Sequence, residues 1–442
     1  MAQASKSAHA IDWNALADEA VELLSQYIRL DTTNPPGNER VACDWLAAIL
    51  DREGIEYEQY EPAPGRTSLV ATLPGDGPGG SALVLLHHSD TVPAEQAYWT
   101  AGPHAGAVRD GYVWGRGALD MKGMGVLELL VLLLHRRRGL PLRRPLRLIA
   151  VADEESGGEQ GIEFLNRAHP ETLDCAFVIN EGGTGSTEIF GVERPVFQIG
   201  VAEKGPLWVR LSASGPAGHG SVPLREAAAL DRLVRALARV LDWAQPVEIT
   251  PPVAAYFEGL HAASLLPGAP DETLLAALGA QHPRVASLLA NTISLTGVHG
   301  GIKHNVIPGE ASATVDARLL PGGDPGVFLE RLRAVIADDE IRTEIVLTSS
   351  TETSSTDTEL YRAIETAVRA EVPDAVVVPS VSTGSTDSRV FRRRGILAYG
   401  FVPVLLGPDE AGRTHGHDER ISIANLRLGL SLLFRTVRLV CG

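Results

Sequence analysis

The chain has 442 residues, more than one ordinary hydrophobic core accommodates, so its length predicts two domains, one of which can be inserted in the other. Its 39 Lys and Arg residues against 55 Asp and Glu residues give a formal net charge of −16, which repels a phosphate backbone and argues against nucleic acid as a partner. Hydrophobic residues make up 44% and charged residues 21%, close to globular averages, so the composition excludes a collagen-like or largely disordered chain.

The first half of the chain alternates between predicted helices and predicted strands. Apolar residues at helical spacing indicate helices at 13–30, 39–53 and 123–134. Short apolar runs indicate strands at 68–73, 82–87, 146–152 and 175–180. Strands that alternate with helices are typical of an α/β sandwich built on a largely parallel sheet, and we expect that fold class here.

The pattern changes near residue 205 and predicts a compact α+β unit. Strands are indicated at 207–214, 292–296, 310–318 and 342–347, helices at 224–243 and 325–337, and a mostly helical stretch at 245–290. The Ser- and Thr-rich segment 348–358 is typical of an exit linker. A last helix is predicted at 423–439.

Polar motifs follow three of the predicted strands directly. They are His88 with Asp90, the acids at 153–155, and Glu181. Ligand groups in α/β sheets gather at the carboxyl ends of the strands, so we expect these side chains to lie together.

Each motif taken alone admits two interpretations. The pair His88 and Asp90 suits a zinc ligand oriented by a carboxylate, or a structural histidine. Asp120, in a glycine-flanked loop before a helix, suits a metal ligand or a helix N-cap. The three acids at 153–155 suit a ligand beside a general base, or a solvated turn. With the imidazole of His415, the set has the nitrogen and oxygen ligands of a hydrolytic metal site.

Seven motifs together resemble one family of metallopeptidases over nearly the whole chain. This is the group that comprises aminoacylase, acetylornithine deacetylase, succinyl-diaminopimelate desuccinylase and glutamate carboxypeptidase. The motifs are DTTNPPGN at 31–38, HSDTVP at 88–93, WGRGALDMKG at 114–123, DEESGG at 153–158, GHGS at 218–221, NVIP at 305–308 and HGHDERI at 415–421.

The resemblance implies a site with two Zn²⁺ ions, in which cobalt or manganese can replace zinc. It implies that Asp120 bridges the two ions. His88 and Glu181 then complete one site. Glu155 and His415 complete the other.

The resemblance also implies a reaction. Glu154 would be the general base, taking a proton from a bridging water and delivering it to the departing amine. Asp90 would orient His88. A cis peptide bond is implied between Asp120 and Met121.

The resemblance further implies a zinc-peptidase-like organisation in which 1–204 and 350–442 form the catalytic domain and 205–349 an inserted lid and dimerisation domain. In a homodimer, His219 would reach the active site of the other subunit and stabilise the tetrahedral oxyanion.

Four residues are expected to contact the substrate on the same grounds. Asn305 and Arg318 would lie near the site, with Arg318 pairing a substrate carboxylate; a strand-end turn and a surface ion pair are the alternatives. Thr383 and Gly384 would line the substrate pocket, unless they form a turn that contacts no substrate.

We therefore expect a metal-dependent hydrolase that cleaves the amide bond of an N-acyl amino acid or a peptide. In the family that the chain resembles, a glutamate such as Glu181 at the last carboxylate position, rather than aspartate, accompanies deacylases and carboxypeptidases more than aminopeptidase-type dipeptidases, so the resemblance favours a deacylase or carboxypeptidase. A dipeptidase of the same fold, a catalytically inactive peptide-binding relative and a structural or storage metal protein remain as alternatives.

Cysteine usage and apolar runs predict a cytoplasmic protein without a membrane partner. Cys43, Cys175 and Cys441 are far apart and odd in number, which argues against a disulfide framework. The first ten residues lack the apolar core of a signal peptide. The longest apolar run, 126–134, is too short to span a bilayer.

Overall fold

A computed structural model of the protein describes residues 11–78, 80–349 and 352–442. The α-helices are α1 (Trp13–Arg29), α2 (Arg40–Glu53), α3 (Lys122–Arg138), α4 (Ile162–Ala168), α5 (Ala229–Leu241), α6 (Pro251–Ala262), α7 (Glu272–Gln281), α8 (Pro283–Leu289), α9 (Pro325–Ile336), α10 (Glu359–Glu371), α11 (Ser388–Arg393), α12 (Pro408–Ala411) and α13 (Ile423–Cys441). Short 3₁₀ turns occupy Gln96–Tyr98, Glu154–Ser156, Pro170–Leu173 and Arg225–Ala227.

The strands are likewise numbered in chain order. They are β1 (Tyr57–Ala63), β2 (Arg66–Leu73), β3 (Ala82–His88), β4 (Ala107–Arg109), β5 (Tyr112–Trp114), β6 (Leu146–Val151), β7 (Cys175–Ile189), β8 (Val192–Glu203), β9 (Gly205–Ser214), β10 (Gly218–His219), β11 (Thr292–Gly300), β12 (Val306–Ile307), β13 (Glu310–Leu319), β14 (Ile341–Thr348), β15 (Val376–Ser382), β16 (Leu397–Leu406) and β17 (Arg420–Ser422).

The chain divides into two compact units. The first comprises Met1–Ile199, Ser355–Val378 and Arg394–Gly442, and the second comprises Gly200–Ser354 and Pro379–Arg393. The second unit therefore includes a segment, Pro379–Arg393, that is remote in sequence from the rest of it.

An eight-stranded sheet has the order β1-β2-β6-β3-β7-β16-β8-β15. Its neighbours β6, β3, β7 and β16 pair in parallel, with Leu85 of β3 opposite both Leu148 and Ile179. The strands β1 and β2 join antiparallel at one edge. The predicted mixture of helices with a sheet that is parallel at its centre is confirmed.

Strand β7 corrects one expectation about the site. The sequence predicts that this strand ends at residue 180, before Glu181, because a glycine-rich run follows, but β7 continues to Ile189. Its pairing with β16 shifts register after Gly400, and a Cβ on Gly185 would lie 2.5 Å from the carbonyl oxygen of Val404. The glycines thus permit close strand packing, and Glu181 projects from inside a strand rather than from a loop.

Helix α3 is buried from Lys122 to His135, which explains why its sequence shows apolar residues without a polar face. It packs against α1 and α13. At its end, Gly139 adopts the left-handed conformation and its N–H caps the carbonyl groups of Arg136 and His135. Helix α1 begins after Asp12, whose carboxylate accepts hydrogen bonds from the first turn.

The second unit contains a four-stranded antiparallel sheet of order β11-β13-β9-β14. Alternate residues of β13 are buried, and they form a core with apolar side chains of α5 and α9. The helix predicted at 224–243 is shorter than expected, because a 3₁₀ turn at Arg225–Ala227 precedes α5. The predicted helical stretch contains α6, α7 and α8.

Other sequence expectations concern the termini and the cysteines. The first ten residues, and positions 350 and 351 of the predicted linker, lie outside the described part of the chain. All three cysteines are free thiols, as expected. Among the helices described, none combines the length and apolar character that a bilayer crossing requires.

Candidate functional site

Polar side chains from five separate segments converge in the first unit. His88 ends β3, and Glu181 lies in the neighbouring strand β7. The acids Glu154 and Glu155 form the 3₁₀ turn after β6, which is the other neighbour of β3. Because β3, β6 and β7 run in parallel, these side chains meet at one edge of the sheet, as predicted.

Asp120 lies between two imidazole rings. Its Oδ1 is 3.0 Å from Nε2 of His88, and its Oδ2 is 3.1 Å from Nε2 of His415. His88 Nε2 also lies 3.8 Å from Glu181 Oε1, and His415 Nε2 lies 3.4 Å from Glu155 Oε2. The two oxygens of one carboxylate therefore face two imidazoles, each of which has a further carboxylate nearby. The cis peptide bond expected between Asp120 and Met121 is present.

The donor set fits metal ions. Ligand atoms of His88, Asp120 and Glu155 lie within 4.8 Å of one another, as do those of His88, Glu154 and Glu181. Oε1 of Glu155 is buried and accepts no hydrogen bond from the described residues, which suits an oxygen that coordinates a cation. Imidazole and carboxylate groups are ligands for Zn²⁺, and also for Co²⁺ and Mn²⁺.

The charges at this site are strongly coupled. Burial opposes the charge of Asp120, yet hydrogen bonds from His415 and His88 hold its pKa well below its usual value. The same contacts raise the pKa values of the two imidazoles. Hydrogen bonds to Asp120 and Glu155 raise the pKa of His415 to about 10. The pKa of His88 is also raised by its carboxylate neighbours, although burial works against this.

Asp90 contacts both His88 and the acidic turn. Nδ1 of His88 is 3.0 Å from the backbone carbonyl of Asp90 and 3.5 Å from its Oδ1. The Asp90 carboxylate also accepts the backbone N–H groups of Glu154 and Glu155, each at 3.2 Å. Asp90 thus lies where it can orient the imidazole, and it additionally anchors the turn that carries the two acids.

An ion pair that the sequence did not single out joins two loops of the site. Glu419 is fully buried, and its Oε1 accepts the backbone N–H groups of Leu119 and Asp120 at 2.7 and 3.1 Å. Its Oε2 lies 2.6 Å from Nη1 of Arg116, whose Nη2 donates to the carbonyl of Gly416 at 3.1 Å. The pair therefore ties the Asp120 loop to the His415 loop. Arg116 and Glu419 both lie inside motifs that were recognised in the sequence. Their place in these motifs is the only local sequence feature that could have indicated this pairing.

The remaining predicted site residues lie in the second unit. His219 is exposed, and its Nδ1 is 2.7 Å from Oγ of Ser221. The pairing of β10 with β12 brings it close to Asn305, whose carbonyl accepts the N–H of Gly220 at 2.8 Å. His219 and Asn305, both predicted as site residues, therefore lie close together where β10 pairs with β12.

Arg318 and the 383–384 turn occupy other positions in that unit. The Arg318 guanidinium pairs with Asp316 at 2.8 Å and lies 5.8 Å from the ring centroid of Trp208. Thr383 and Gly384 follow β15, and the Gly384 N–H donates to Oγ of Ser382 at 3.2 Å. Arg318 is thus already engaged in an ion pair, one of the two possibilities that the sequence left open.

Comparison with known proteins gives consistent matches. Residues 84–439 match Peptidase family M20/M25/M40. The chain is 28% identical over 419 residues to aminoacylase-1 of Sus scrofa, covering 93% of each chain. It is 29% identical over 406 residues to the N-fatty-acyl-amino acid synthase/hydrolase PM20D1 of Homo sapiens, covering 88% of this chain and 79% of that one.

A solved structure shows the same fold. The M20 family metallo-carboxypeptidase Sso-CP2 of Sulfolobus solfataricus has a TM-score of 0.76 and 20% identity, covering 96% of this chain and 99% of its own. This likeness and the family match confirm the predicted zinc-peptidase-like fold with an inserted domain. The match to the family spans most of the chain, so the chain belongs to peptidase family M20/M25/M40.

Proposed function

We propose that this member of the family is a metal-dependent hydrolase that cleaves the amide bond of N-acyl amino acids. The observation that supports this most directly is the Asp120 carboxylate, whose two oxygens face two imidazoles while the acids of the 154–155 turn lie beside them. The relatives aminoacylase-1 and the N-fatty-acyl-amino acid synthase/hydrolase support the acylated substrate over a free dipeptide.

The proposed ligands for two Zn²⁺ ions follow from these contacts. Asp120 would be shared between the ions. His88 with Glu181, and His415 with Glu155, would complete the two sites. Bound ions of this kind act as Lewis acids toward a carbonyl oxygen and lower the pKa of water. The buried Oε1 of Glu155, without a donor from the described residues, supports this assignment.

Glu154 is the proposed general base. Its carboxylate accepts a proton from the attacking water and returns it to the nitrogen of the departing amine. The Asp90 carboxylate holds the Glu154 backbone N–H at 3.2 Å, which limits the positions that the base can take. Glu155, the next residue, is assigned as a ligand, so the turn would give adjacent acids different roles.

The second unit supplies the proposed substrate contacts. His219 would stabilise the oxyanion of the tetrahedral intermediate in the other subunit of a homodimer. Arg318 would pair with the substrate carboxylate, since a guanidinium has five N–H donors and the contact with Asp316 leaves others for a ligand. Asn305, Thr383 and Gly384 would line the pocket.

The proposed organisation is a catalytic domain formed by 1–204 and 350–442 with a lid and dimerisation domain at 205–349. The compact units divide the chain within five residues of both boundaries, which supports the proposal, whereas Pro379–Arg393 groups with the second unit. Three free cysteines fit a reducing compartment, and we place the enzyme in the cytoplasm.

Hydrolysis of a substrate panel tests the proposed function. N-acyl amino acids with acetyl, succinyl and long acyl groups should be cleaved, and a dipeptide with a free amine should be a poorer substrate. Chelation should abolish cleavage and Zn²⁺ should restore it, with product amine and metal content measured on the same sample. Preferential cleavage of dipeptides would instead assign a dipeptidase. Absence of any cleavage in the metal-loaded protein would support an inactive binding protein.

Replacement of the proposed base should separate catalysis from metal binding. Glu154→Gln is expected to lower kcat by about 10²- to 10⁴-fold, since it removes the proton acceptor but retains the shape of the side chain. Metal content, measured by elemental analysis, should stay at the wild-type value. Glu159→Gln, at an exposed position five residues along the chain, is the control and should keep full activity. A Glu154→Gln variant as active as the control would remove Glu154 as the base.

Mixed dimers test the contribution of His219 to the partner's site. His219→Ala and Glu154→Gln should each be nearly inactive alone with their metals bound. Mixed and allowed to exchange subunits, they should recover about a quarter of wild-type activity, because half of the dimers then contain one intact composite site. The control for His219→Ala is His304→Ala, because His304 is also an exposed histidine of the second unit. The His304→Ala variant should be active without mixing. Exchange without recovery would exclude action across the dimer.

A further inference from the structure

A buried amide links two carboxylates beside the proposed active site. Asn34 lies between α1 and α2 and is 4% exposed. Its Nδ2 donates to Oδ2 of Asp90 at 2.8 Å and to Oδ1 of Asp153 at 3.2 Å. Asp90 and Asp153 lie 56 and 119 residues beyond Asn34, and so 63 residues apart. A single NH₂ group therefore holds two acids that are distant in the chain.

These two acids hold the backbone of the turn that carries Glu154 and Glu155 and of the segment that follows it. The Asp90 carboxylate accepts the N–H groups of Glu154 and Glu155, both at 3.2 Å. Asp153 begins the turn in the left-handed conformation, with φ of 70°, and its Oδ2 accepts the N–H of Gln160 at 2.9 Å. The position of the turn therefore depends on the distance between the two carboxylates.

Arg66 determines which way the amide of Asn34 points. Its Nη1 donates to Oδ1 of Asn34 at 3.2 Å and to the carbonyl of Pro36 at 2.6 Å. Its Nη2 lies 2.6 Å from Oδ1 of Asp153 and 3.0 Å from Oε1 of Glu39. Because a guanidinium offers only donors, the amide oxygen faces Arg66 and the NH₂ group faces the acids.

The local charge explains why a neutral donor stands between the acids. Asp90 and Asp153 are 0% and 6% exposed, so little water screens their mutual repulsion. Arg66 forms an ion pair with Asp153, and among the described residues it forms neither a hydrogen bond nor an ion pair with Asp90. The Asn34 NH₂ group supplies Asp90 with a donor on the side that faces Asp153.

We propose that Asn34 is a positioning residue for hydrolysis, which acts through Asp90 and Asp153 to set the carboxylates of Glu154 and Glu155. The inference rests on the proposed function of Glu154 as the base. Asn34 would touch neither substrate nor metal. Its effect would therefore appear in the rate of the chemical step and in the geometry around Glu155, while substrate affinity would be left nearly unchanged.

Two variants and one control test the proposal. Asn34→Asp keeps the shape and an oxygen for Arg66 but replaces the NH₂ donor with an acceptor. Asn34→Ala removes both groups. Asn38→Ala, in the same loop but with an exposed side chain, is the control. Both Asn34 variants should lower kcat by about 10- to 100-fold with KM within about twofold of wild type, because a small misplacement of a catalytic group slows the chemistry.

The absorption spectrum of the cobalt-loaded protein provides a readout that is independent of turnover. A displaced Glu155 should change the d–d bands of both Asn34 variants at full metal content, whereas the Asn38→Ala spectrum should match the wild type. If the Asn34 variants keep wild-type kcat, or lose only thermal stability with an unchanged cobalt spectrum, the positioning role is wrong. If wild type and Asn38→Ala also hydrolyse no substrate, the proposed function fails and the inference fails with it.

Discussion

The site depends on how the fold accommodates several carboxylates in one small volume. Asp120 contacts the imidazoles of both His88 and His415, while Glu181 lies near His88 and Glu155 near His415. Such a concentration of negative charge is unfavourable unless cations or protons neutralise it. Asp120 shows how this is resolved, because each of its oxygens faces a different ring. The same arrangement makes the site suitable for two divalent ions.

The rest of the structure holds these acids in place. The parallel strands β3, β6 and β7 deliver His88, the acidic turn and Glu181 to one edge of the sheet. Around them, charged groups that are not themselves proposed ligands bind the backbone. Glu419 accepts the N–H groups of the Asp120 loop, and Asp90 accepts those of the acidic turn. The loops are thus held by buried hydrogen bonds to charged groups, which are stronger than bonds between neutral groups.

Much of the site could be predicted from sequence because its residues follow local patterns. His88 and the acids at 153–155 come directly after apolar strands, and the structure brings them together. Glu181 shows the limit of this reasoning. Its glycine-rich neighbours look like a loop, and only the packing of β7 against β16 shows that they continue the strand. The helix predicted at 224–243 shows a second limit, because its predicted start is too early. A 3₁₀ turn precedes α5, and the local sequences of a 3₁₀ turn and an α-helix are similar.

The supporting contacts were not predictable, because they join residues that are far apart. Asn34 contacts acids 56 and 119 residues away, and Glu419 contacts Leu119 across 300 residues. No periodicity or motif spacing carries that information. The pairing of β10 with β12, which brings His219 near Asn305, is likewise a long-range event. Sequence patterns therefore indicated which residues we propose for the chemistry, and the structure was needed to show what positions them.

If two metal ions share Asp120, as we propose, both should be visible beside it in a crystal structure of the zinc-loaded protein with anomalous data collected on both sides of the zinc absorption edge. We predict two zinc peaks about 3.5–4 Å apart, each at about 2.0–2.2 Å from a different oxygen of Asp120. A single peak, or two peaks of which only one contacts Asp120, would show that two ions do not share this carboxylate.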